Sequence, residues 1–203
     1  MTPTWVRISG RELAETVDRG ESLRTLIDPC QAIYFWRRTF KPPRNIIHNQ
    51  ARFVRWLETC LKPPVGIIQG AQLSHYAMLD SLTLGGRGLT DIKRAHLLEM
   101  ARNPRRRKFL AHFVASLEDF TPPVYCGETN SLARRVKEHV TGETLLKETI
   151  EETLGLTWSD LILFYWKLPF GETTDTQTDT NRRQLLELIS TRLSFCGFVK
   201  RPG

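Results

Sequence analysis

Two short apolar runs interrupt a chain that is otherwise patterned as helices. They span residues 31–36 and 160–167, and both are rich in β-branched and aromatic side chains. Runs of this length and composition, bounded by proline, glycine or polar residues, are typical of buried β-strands. A third strand is predicted to begin at Val124, directly after the break at Thr121-Pro-Pro123.

Apolar residues recur three or four positions apart along much of the remaining chain, which predicts helices. One predicted helix contains Arg135 and His139. The other predicted helices span residues 11–18, 45–61, 90–102, 104–119, 145–154 and 181–193. A small set of strands with many helices predicts an α+β fold.

Two of these helices have clear starting signals. Thr90 is a good N-cap, and Asn103 with Pro104 provides an N-cap followed by proline at the first helical position. The helix that starts at Pro104 is expected to bury the stripe Phe109, Phe113, Val114 and Leu117. The stretch 65–89 has no clear pattern. Its loop at residues 85–88 lacks the Gly-Lys-Ser/Thr ending of a nucleotide-binding P-loop, so a plain loop is predicted there.

The 203 residues carry a formal charge of +7, which favours an anionic partner. Nearly the whole excess lies in residues 92–108, where Glu99 is the only acid. The cations of this basic block are Lys93, Arg94, Arg102, Arg105, Arg106, Arg107 and Lys108. We expect the block to contact nucleic acid, and a merely solvated basic face is the alternative.

The placement of four of these cations, at residues 105–108, is unusual because they crowd the first turn of a helix. The helix dipole disfavours cations there by roughly 0.3–1 kcal/mol each. An anion bound across that turn would offset the cost. The tight junction between this helix and the preceding one also resembles a helix-turn-helix, which is a weaker signal.

Several protein classes are disfavoured by composition. The chain has no run of about 18 apolar residues and no apolar segment of the signal-peptide type near Met1, so we expect neither a membrane span nor secretion. The cysteines at 30, 60, 126 and 196 form no Cys-x-x-Cys pair, which argues against zinc and against a disulfide framework. A cytoplasmic location is expected.

The segment 124–139 carries the most specific chemistry. It is predicted to form a strand, a glycine turn and a helix, with Arg135 and His139 one turn apart on the same helix face. The turn directs Tyr125 and the N-terminal amides of the helix toward the same region. A phenol, a guanidinium, an imidazole and a helix N-terminus together suit a phosphate group. These residues point to phosphodiester chemistry.

This segment resembles the GIY-YIG nuclease family. Tyr125-Cys126-Gly127 is similar to the second half of the family motif, and Asn130 and Leu132, followed by Arg135 and His139, are similar to its helix. Ala32-Ile33-Tyr34 is similar to the first half, with alanine in place of glycine.

The resemblance implies a small three-stranded sheet, mixed or antiparallel, flanked by helices. Residues 31–40 and 122–203 would form this nuclease core. Residues 1–30 would be an N-terminal helical extension, and residues 41–121 a large, basic, helical insertion between the first two strands.

The resemblance also implies the catalytic residues and the cofactor. Glu187 would hold one divalent metal, Mg²⁺ or Mn²⁺, and Arg135 would stabilise the charge of the transition state. Tyr34 is the general base that the family suggests, His139 would share the proton transfer, and Tyr125 would position phosphate or water. Asn130 would join the basic block in contacting nucleic acid.

The function expected from the sequence is therefore a metal-dependent DNA endonuclease of a restriction, mobile-element or phage-defence type. RNA as the substrate stays open, and cutting both strands would need a homodimer, a partner subunit or two nicks. The alternative is a non-catalytic nucleic-acid-binding module that retains the fold. A protein–protein subunit with a merely solvated basic block is the third hypothesis.

Overall fold

The computed structural model describes residues 5–42, 44–61, 66–74, 77–84, 89–169 and 176–194. The predicted loop at 85–88 lies outside these residues. The chain divides into two compact units, one of residues 1–38 with 121–203 and one of residues 39–120. We call them the sheet unit and the basic unit, and each is described by itself.

The described residues form six strands and eight α-helices. The strands are β1 (Val6–Ser9), β2 (Ala32–Arg38), β3 (Gly66–Ser74), β4 (Ala77–Leu84), β5 (Tyr125–Thr129) and β6 (Leu161–Lys167). The helices are α1 (Gly10–Asp18), α2 (Arg44–His48), α3 (Gln50–Cys60), α4 (Asp91–Arg102), α5 (Pro104–Ser116), α6 (Leu132–Thr141), α7 (Leu145–Glu148) and α8 (Thr176–Ser194). The predicted α+β class is confirmed.

The sheet unit contains a four-stranded sheet in the order β1-β6-β2-β5, and all of its pairings are antiparallel. The predicted strands at 31–36 and 160–167 are confirmed as β2 and β6. The prediction of three strands was wrong by one, because β1 pairs with the outer edge of β6. Strand β1 has four residues, of which only Ile8 is buried. It therefore shows no apolar pattern in the sequence.

Both faces of this sheet are covered. On one face, Tyr34 and Trp36 of β2 pack in a core that includes Leu13 of α1 and Val136 of α6. On the other face, Ile33, Cys126 and Leu168 form a smaller core against Leu186 of α8. Residues 1–30, predicted as an extension, supply part of the main core, since Leu13 and Ile27 are fully buried in it.

Two predicted helices of the sheet unit differ in extent from the structure. The helix predicted at 145–154 is α7 followed by one π-helical turn, Thr149–Thr153. The last helix begins at Thr176 rather than at 181, so polar residues predicted as the end of a loop form its first turns.

The basic unit is not wholly helical, because β3 and β4 form a two-stranded hairpin in the stretch that has no clear pattern. Its core packs Phe53, Val54 and Leu57 of α3 against α4 and α5. The single helix predicted at 45–61 is divided into α2 and α3. Asn49 separates them, and its side chain caps α3 by accepting the Arg52 N–H at 3.0 Å.

The predicted caps of α4 and α5 are confirmed. The Thr90 hydroxyl accepts the N–H of Lys93 at 3.4 Å. Asn103 Oδ1 accepts the N–H groups of Arg105 at 2.8 Å and Arg106 at 3.4 Å, with Pro104 at the first position of α5. Local capping chemistry therefore determines where both helices begin.

The predicted buried stripe of α5 was wrong. Phe109 is 63% exposed, Phe113 52% and Leu117 40%, and only Val114 of that stripe packs against the core. The inward face instead carries Arg107 and Ala111.

Arg107 explains this orientation of α5, because its guanidinium is 6% exposed and binds backbone carbonyls. Nε donates to the Ile47 carbonyl at 2.9 Å, and Nη1 donates to the Ala101 carbonyl at 2.5 Å. Longer bonds reach the carbonyls of Arg102 at 3.2 Å and His48 at 3.5 Å. Arg107 thus caps the C-terminal ends of α2 and α4, which corrects its predicted role in nucleic-acid contact.

No described helix has the combination of length and apolar character that a membrane crossing requires.

We expect Arg107→Met to lower the free energy of unfolding by about 2–4 kcal/mol, because it leaves several buried carbonyls without their donor. Urea denaturation followed by circular dichroism measures the loss. Arg106→Met is the matched control, since this exposed neighbour only pairs with Glu99 at 3.4 Å and should change stability by less than about 0.5 kcal/mol. Equal stability of the two variants would contradict the capping role.

Candidate functional site

The two halves of the predicted motif lie side by side, as expected. Strands β2 and β5 pair antiparallel, with Tyr34 opposite Gly127 and Trp36 opposite Tyr125. The rings of Tyr34 and Tyr125 have centroids 5.9 Å apart. Adjacent strands thus bring together two tyrosines that are separated along the chain by the whole basic unit.

Gly127 does not form a turn, which corrects the prediction. It lies within β5, and a Cβ atom added there would be 2.7 Å from Tyr34 Oη and 2.9 Å from Tyr125 Cε1. Because carbon atoms do not approach this closely, no residue with a side chain fits while the two rings stay in place. The glycine is needed to make room for the phenol of Tyr34. The bend before α6 falls at Asn130, whose side chain is exposed.

Helix α6 presents its polar site residues from a largely buried face. Leu132, Val136 and Val140 anchor it in the core, and His139, which is 1% exposed, lies on the same side. The predicted free amides at its N-terminus are partly occupied, because the Leu132 N–H donates to the Cys30 carbonyl at 3.0 Å. The contribution of α6 to the candidate site therefore comes mainly from its side chains.

A buried chain of hydrogen bonds links Tyr34, His139 and Thr144. Tyr34 Oη lies 2.8 Å from His139 Nε2, and His139 Nδ1 lies 2.7 Å from Thr144 Oγ1. Burial, helped by the charge of Arg135, lowers the pKa of His139 to about 3. The imidazole is therefore neutral at pH 7. If the Tyr34 O–H donates to Nε2, the ring proton resides on Nδ1 and is donated to Thr144.

Arg135 is the fixed positive charge of the site. Burial opposes that charge, but the hydrogen bond from Nη1 to Glu138 at 3.0 Å and the neighbouring Tyr34 and Tyr125 outweigh it. The pKa of Arg135 therefore lies above its ordinary value. Its side chain remains 36% exposed, so a charged ligand has access to the guanidinium.

The environment of Tyr34 disfavours a phenolate. The side chain is fully buried, and burial raises the pKa of Tyr34 well above its ordinary value, with Arg135 acting in the opposite direction. A tyrosine that acts as general base would need a pKa below its ordinary value. The surroundings of Tyr34 therefore do not support its predicted role as general base. Burial also raises the pKa of Tyr125, while the interaction with Tyr34 lowers it. Tyr125 is thus the phenol of the pair that ionises more readily.

Glu187 of α8 joins this group from the opposite side of β5. Burial and the charge of Glu128 raise the pKa of Glu187 to about 7, while Arg135 and the backbone N–H of Glu128 act against the shift. Its charge in turn raises the pKa of Tyr125. All five predicted catalytic residues therefore lie together around β5: Tyr34, Tyr125, Arg135, His139 and Glu187.

The predicted nucleic-acid-binding cations all belong to the basic unit. Arg94 pairs with Glu58 at 2.6 Å, and Arg106 pairs with Glu99 at 3.4 Å, which neutralises part of the block. With Arg107 buried, the exposed cations of the block are Lys93, Arg94, Arg102, Arg105, Arg106 and Lys108.

Arg183 and Glu128, which the sequence did not indicate, join α8 to the sheet close to Glu187. Arg183 is 7% exposed, and its Nε donates to Glu128 Oε2 at 2.7 Å. Its other nitrogens donate to Gln31 at 3.2 Å and Thr180 at 3.0 Å. Arg183 thereby joins α8 to the sheet one helical turn before Glu187. The spacing of Arg183 and Glu187, four residues apart, is the only signal in the sequence that bears on this role.

The resemblance implies one hard divalent cation, with Glu187 as its ligand. No group of three or more His, Cys, Asp or Glu side chains suited to a metal occurs among the residues that the structure describes. Mg²⁺ needs only one or two carboxylates, because waters and phosphate oxygens complete its octahedral shell. Glu187, with its raised pKa, is a carboxylate whose ionisation a bound cation would favour.

Comparison with known proteins provides no relative for this site. No protein-family model matches the chain, and it has no significant match among curated proteins or solved structures. The function is therefore inferred from the side chains that the fold brings together.

We expect Gly127→Ala to destabilise the protein by about 1–3 kcal/mol, because the new methyl group overlaps the buried Tyr34 phenol. Urea denaturation measures the loss, and the NMR signals of His139 report whether its contact with Tyr34 is broken. A variant with wild-type stability and unchanged His139 signals would contradict the close packing.

We expect Glu187→Gln to stabilise the protein at pH 8 and to leave it nearly unchanged at pH 4.5. The folded pKa of about 7 lies above the ordinary value of 4.5. The carboxyl therefore favours the folded state fully below pH 4.5, and this contribution is lost as the pH rises through 7. Glutamine stays neutral, so its advantage at pH 8 should be about 1–2 kcal/mol after allowance for solvent screening. Urea denaturation at the two pH values, with the exposed Glu151→Gln as control, measures it. An equal effect at both pH values would contradict the raised pKa.

Proposed function

We propose that the protein is a metal-dependent endonuclease that hydrolyses phosphodiester bonds of DNA. The observation that carries the proposal is the convergence of Tyr34, Tyr125, Arg135, His139 and Glu187 around β5. These side chains come from β2, β5, α6 and α8. They are the residues that the resemblance to the GIY-YIG nucleases singles out, and together they supply the groups that phosphodiester hydrolysis requires.

Arg135 binds the scissile phosphate in this proposal. Its pKa lies above its ordinary value, so its charge is fixed at any working pH. The planar guanidinium can donate two parallel hydrogen bonds to phosphate oxygens, which a lysine cannot do. This interaction strengthens as negative charge accumulates on the phosphate in the transition state.

The two tyrosines have different tasks. Tyr34 is held against neutral His139 at 2.8 Å, so it positions its neighbours and retains its own proton. Tyr125 is partly exposed. Burial raises its pKa above the ordinary value, and Tyr34 and Arg135 oppose only part of that rise. We assign Tyr125 the orientation of the attacking water.

Glu187 is the residue that would hold Mg²⁺ or Mn²⁺. When bound, the ion would polarise a phosphoryl oxygen and the leaving group. Arg183 and Glu128 keep α8 beside β5, and the Glu187 carboxylate lies within electrostatic range of Arg135. Loss of the Glu187 proton on metal binding makes the affinity for the ion depend on pH around neutrality.

The biological setting belongs to the same proposal. A restriction, mobile-element or phage-defence role is what the resemblance implies. Cutting both strands would need a homodimer, a partner subunit or two sequential nicks, because each chain supplies one such site.

A second candidate is a nucleic-acid-binding module that no longer cleaves. The raised pKa of Tyr34 and the lack of a larger metal-ligand cluster among the described residues favour it. The alternative retains the exposed cations of the basic unit and the charge of Arg135, and it loses only the chemical step.

We expect the protein to nick supercoiled plasmid DNA in Mg²⁺ or Mn²⁺ and to be inactive in EDTA. Arg135→Ala and Glu187→Gln should each lower the rate by at least about hundredfold, because they remove the phosphate donor and the metal ligand. Agarose gel electrophoresis of the nicked and linear products measures the rate, and a labelled RNA of the same sequence tests the other substrate.

Arg134→Ala is the matched control for Arg135. Both arginines pair with Glu138, but Arg134 is 62% exposed and no contact joins it to Tyr34 or Tyr125 among the described residues. It should retain activity within about threefold of wild type. A salt-sensitive gel shift without nicking would support the binding module instead, and equal activity of all the variants would exclude the site.

A further inference from the structure

One face of α5 exposes large apolar side chains in the basic unit. Phe109 and Phe113 lie four residues apart, so they form a row on one side of the helix. Leu117 follows one turn later, directly after the helix ends at Ser116. The three side chains are 63%, 52% and 40% exposed. Arg105 precedes Phe109 by four residues and continues the same row. We call Arg105, Phe109 and Phe113 the α5 row.

The two phenylalanines form an ordered aromatic surface. Their ring planes differ by 12° and their centroids lie 6.4 Å apart. The two ring planes are thus nearly parallel, and both side chains are exposed. Exposed apolar groups on one face commonly mark an interaction site, and parallel aromatic rings are suited to a partner that is itself flat.

The charge around the row selects the kind of partner. Helix α5 contains no acidic residue, and Arg105, Arg106 and Lys108 are exposed near Phe109. Glu99 pairs only with Arg106 among these. A second copy of the chain would bring two such basic rows together without an acid on α5 to compensate. A polyanion with flat apolar groups matches both the charge and the rings.

We propose that the α5 row binds unpaired nucleotides of a nucleic-acid strand. Bases stack on Phe109 and Phe113, while Arg105 and Lys108 contact the neighbouring phosphates. Bases inside a duplex already stack on each other, so only unpaired ones can reach the rings. Stacking on aromatic side chains together with a basic track is the usual way in which proteins bind single strands without sequence preference. The inference goes beyond the proposed cleavage and needs no metal.

Binding of a fluorescein-labelled oligothymidylate to the full chain in EDTA tests this site. The wild-type protein should bind the single-stranded oligomer more tightly than it binds a DNA duplex in the same assay. The double substitution Phe109→Leu with Phe113→Leu keeps the surface apolar but removes the rings. It should weaken binding by about tenfold per ring, with an unchanged salt slope because every cation remains. Arg105→Ala should instead reduce the salt slope by about 0.7.

Three controls make the outcome decisive. Leu117→Ala, one turn beyond the row and without a ring, should keep the affinity within about twofold of wild type. Ultraviolet crosslinking of wild type to an oligomer containing 5-iododeoxyuridine should label Phe109 or Phe113, which does not depend on the folding of any variant. Light scattering of the double variant should give the wild-type mass.

Wild-type affinity in the double leucine variant, or crosslinks found only away from α5, would overturn the proposal. A fall in mass with unchanged oligomer binding would assign the row to a contact between copies and overturn it too. Plasmid cleavage is measured separately in Mg²⁺, so failure here and failure of the proposed nuclease reaction are distinguishable.

Discussion

The site depends on the pairing of Tyr34 with Gly127 across β2 and β5. A fully buried phenol must lie over the neighbouring strand to reach His139, and only a residue without a side chain leaves the space. The register that places them opposite each other also brings Tyr125 beside Tyr34. A slip by one residue would turn Tyr34 to the other face of the sheet. The arrangement of the candidate site is thus a consequence of strand register.

Around that pairing, the site keeps one permanent cation among groups that resist ionisation. Arg135 remains charged, while burial and Arg135 itself keep His139 neutral, with a pKa of about 3. Glu187 titrates near neutrality, because burial and Glu128 oppose its charge. A cation bound at Glu187 and an anion bound at Arg135 would each relieve this imbalance. This imbalance supports the proposal that a metal and a phosphate bind together at this site.

Three arginines show how little the residue type alone says about function. Arg107 is buried and caps the ends of α2 and α4 through their carbonyls. Arg183 is equally buried and joins α8 to β5 through Glu128. Arg135 keeps part of its side chain accessible between two phenols and a carboxylate. Arg107 and Arg183 stabilise the fold, whereas Arg135 takes part in the proposed chemistry. All three contribute equally to the basic composition of the chain.

The sequence by itself determined the elements whose signals are local. The apolar runs of β2 and β6, the caps at Asn103 and Thr90, and the shared face of Arg135 and His139 all follow from periodicity and short-range hydrogen bonding. Only the tertiary structure decided which face of α5 is buried, that β1 completes the sheet, that Gly127 accommodates a phenol, and that Arg183 supports Glu187. Those outcomes depend on contacts between segments far apart in the chain, and a local pattern carries no information about which distant carbonyl, ring or strand edge will be available.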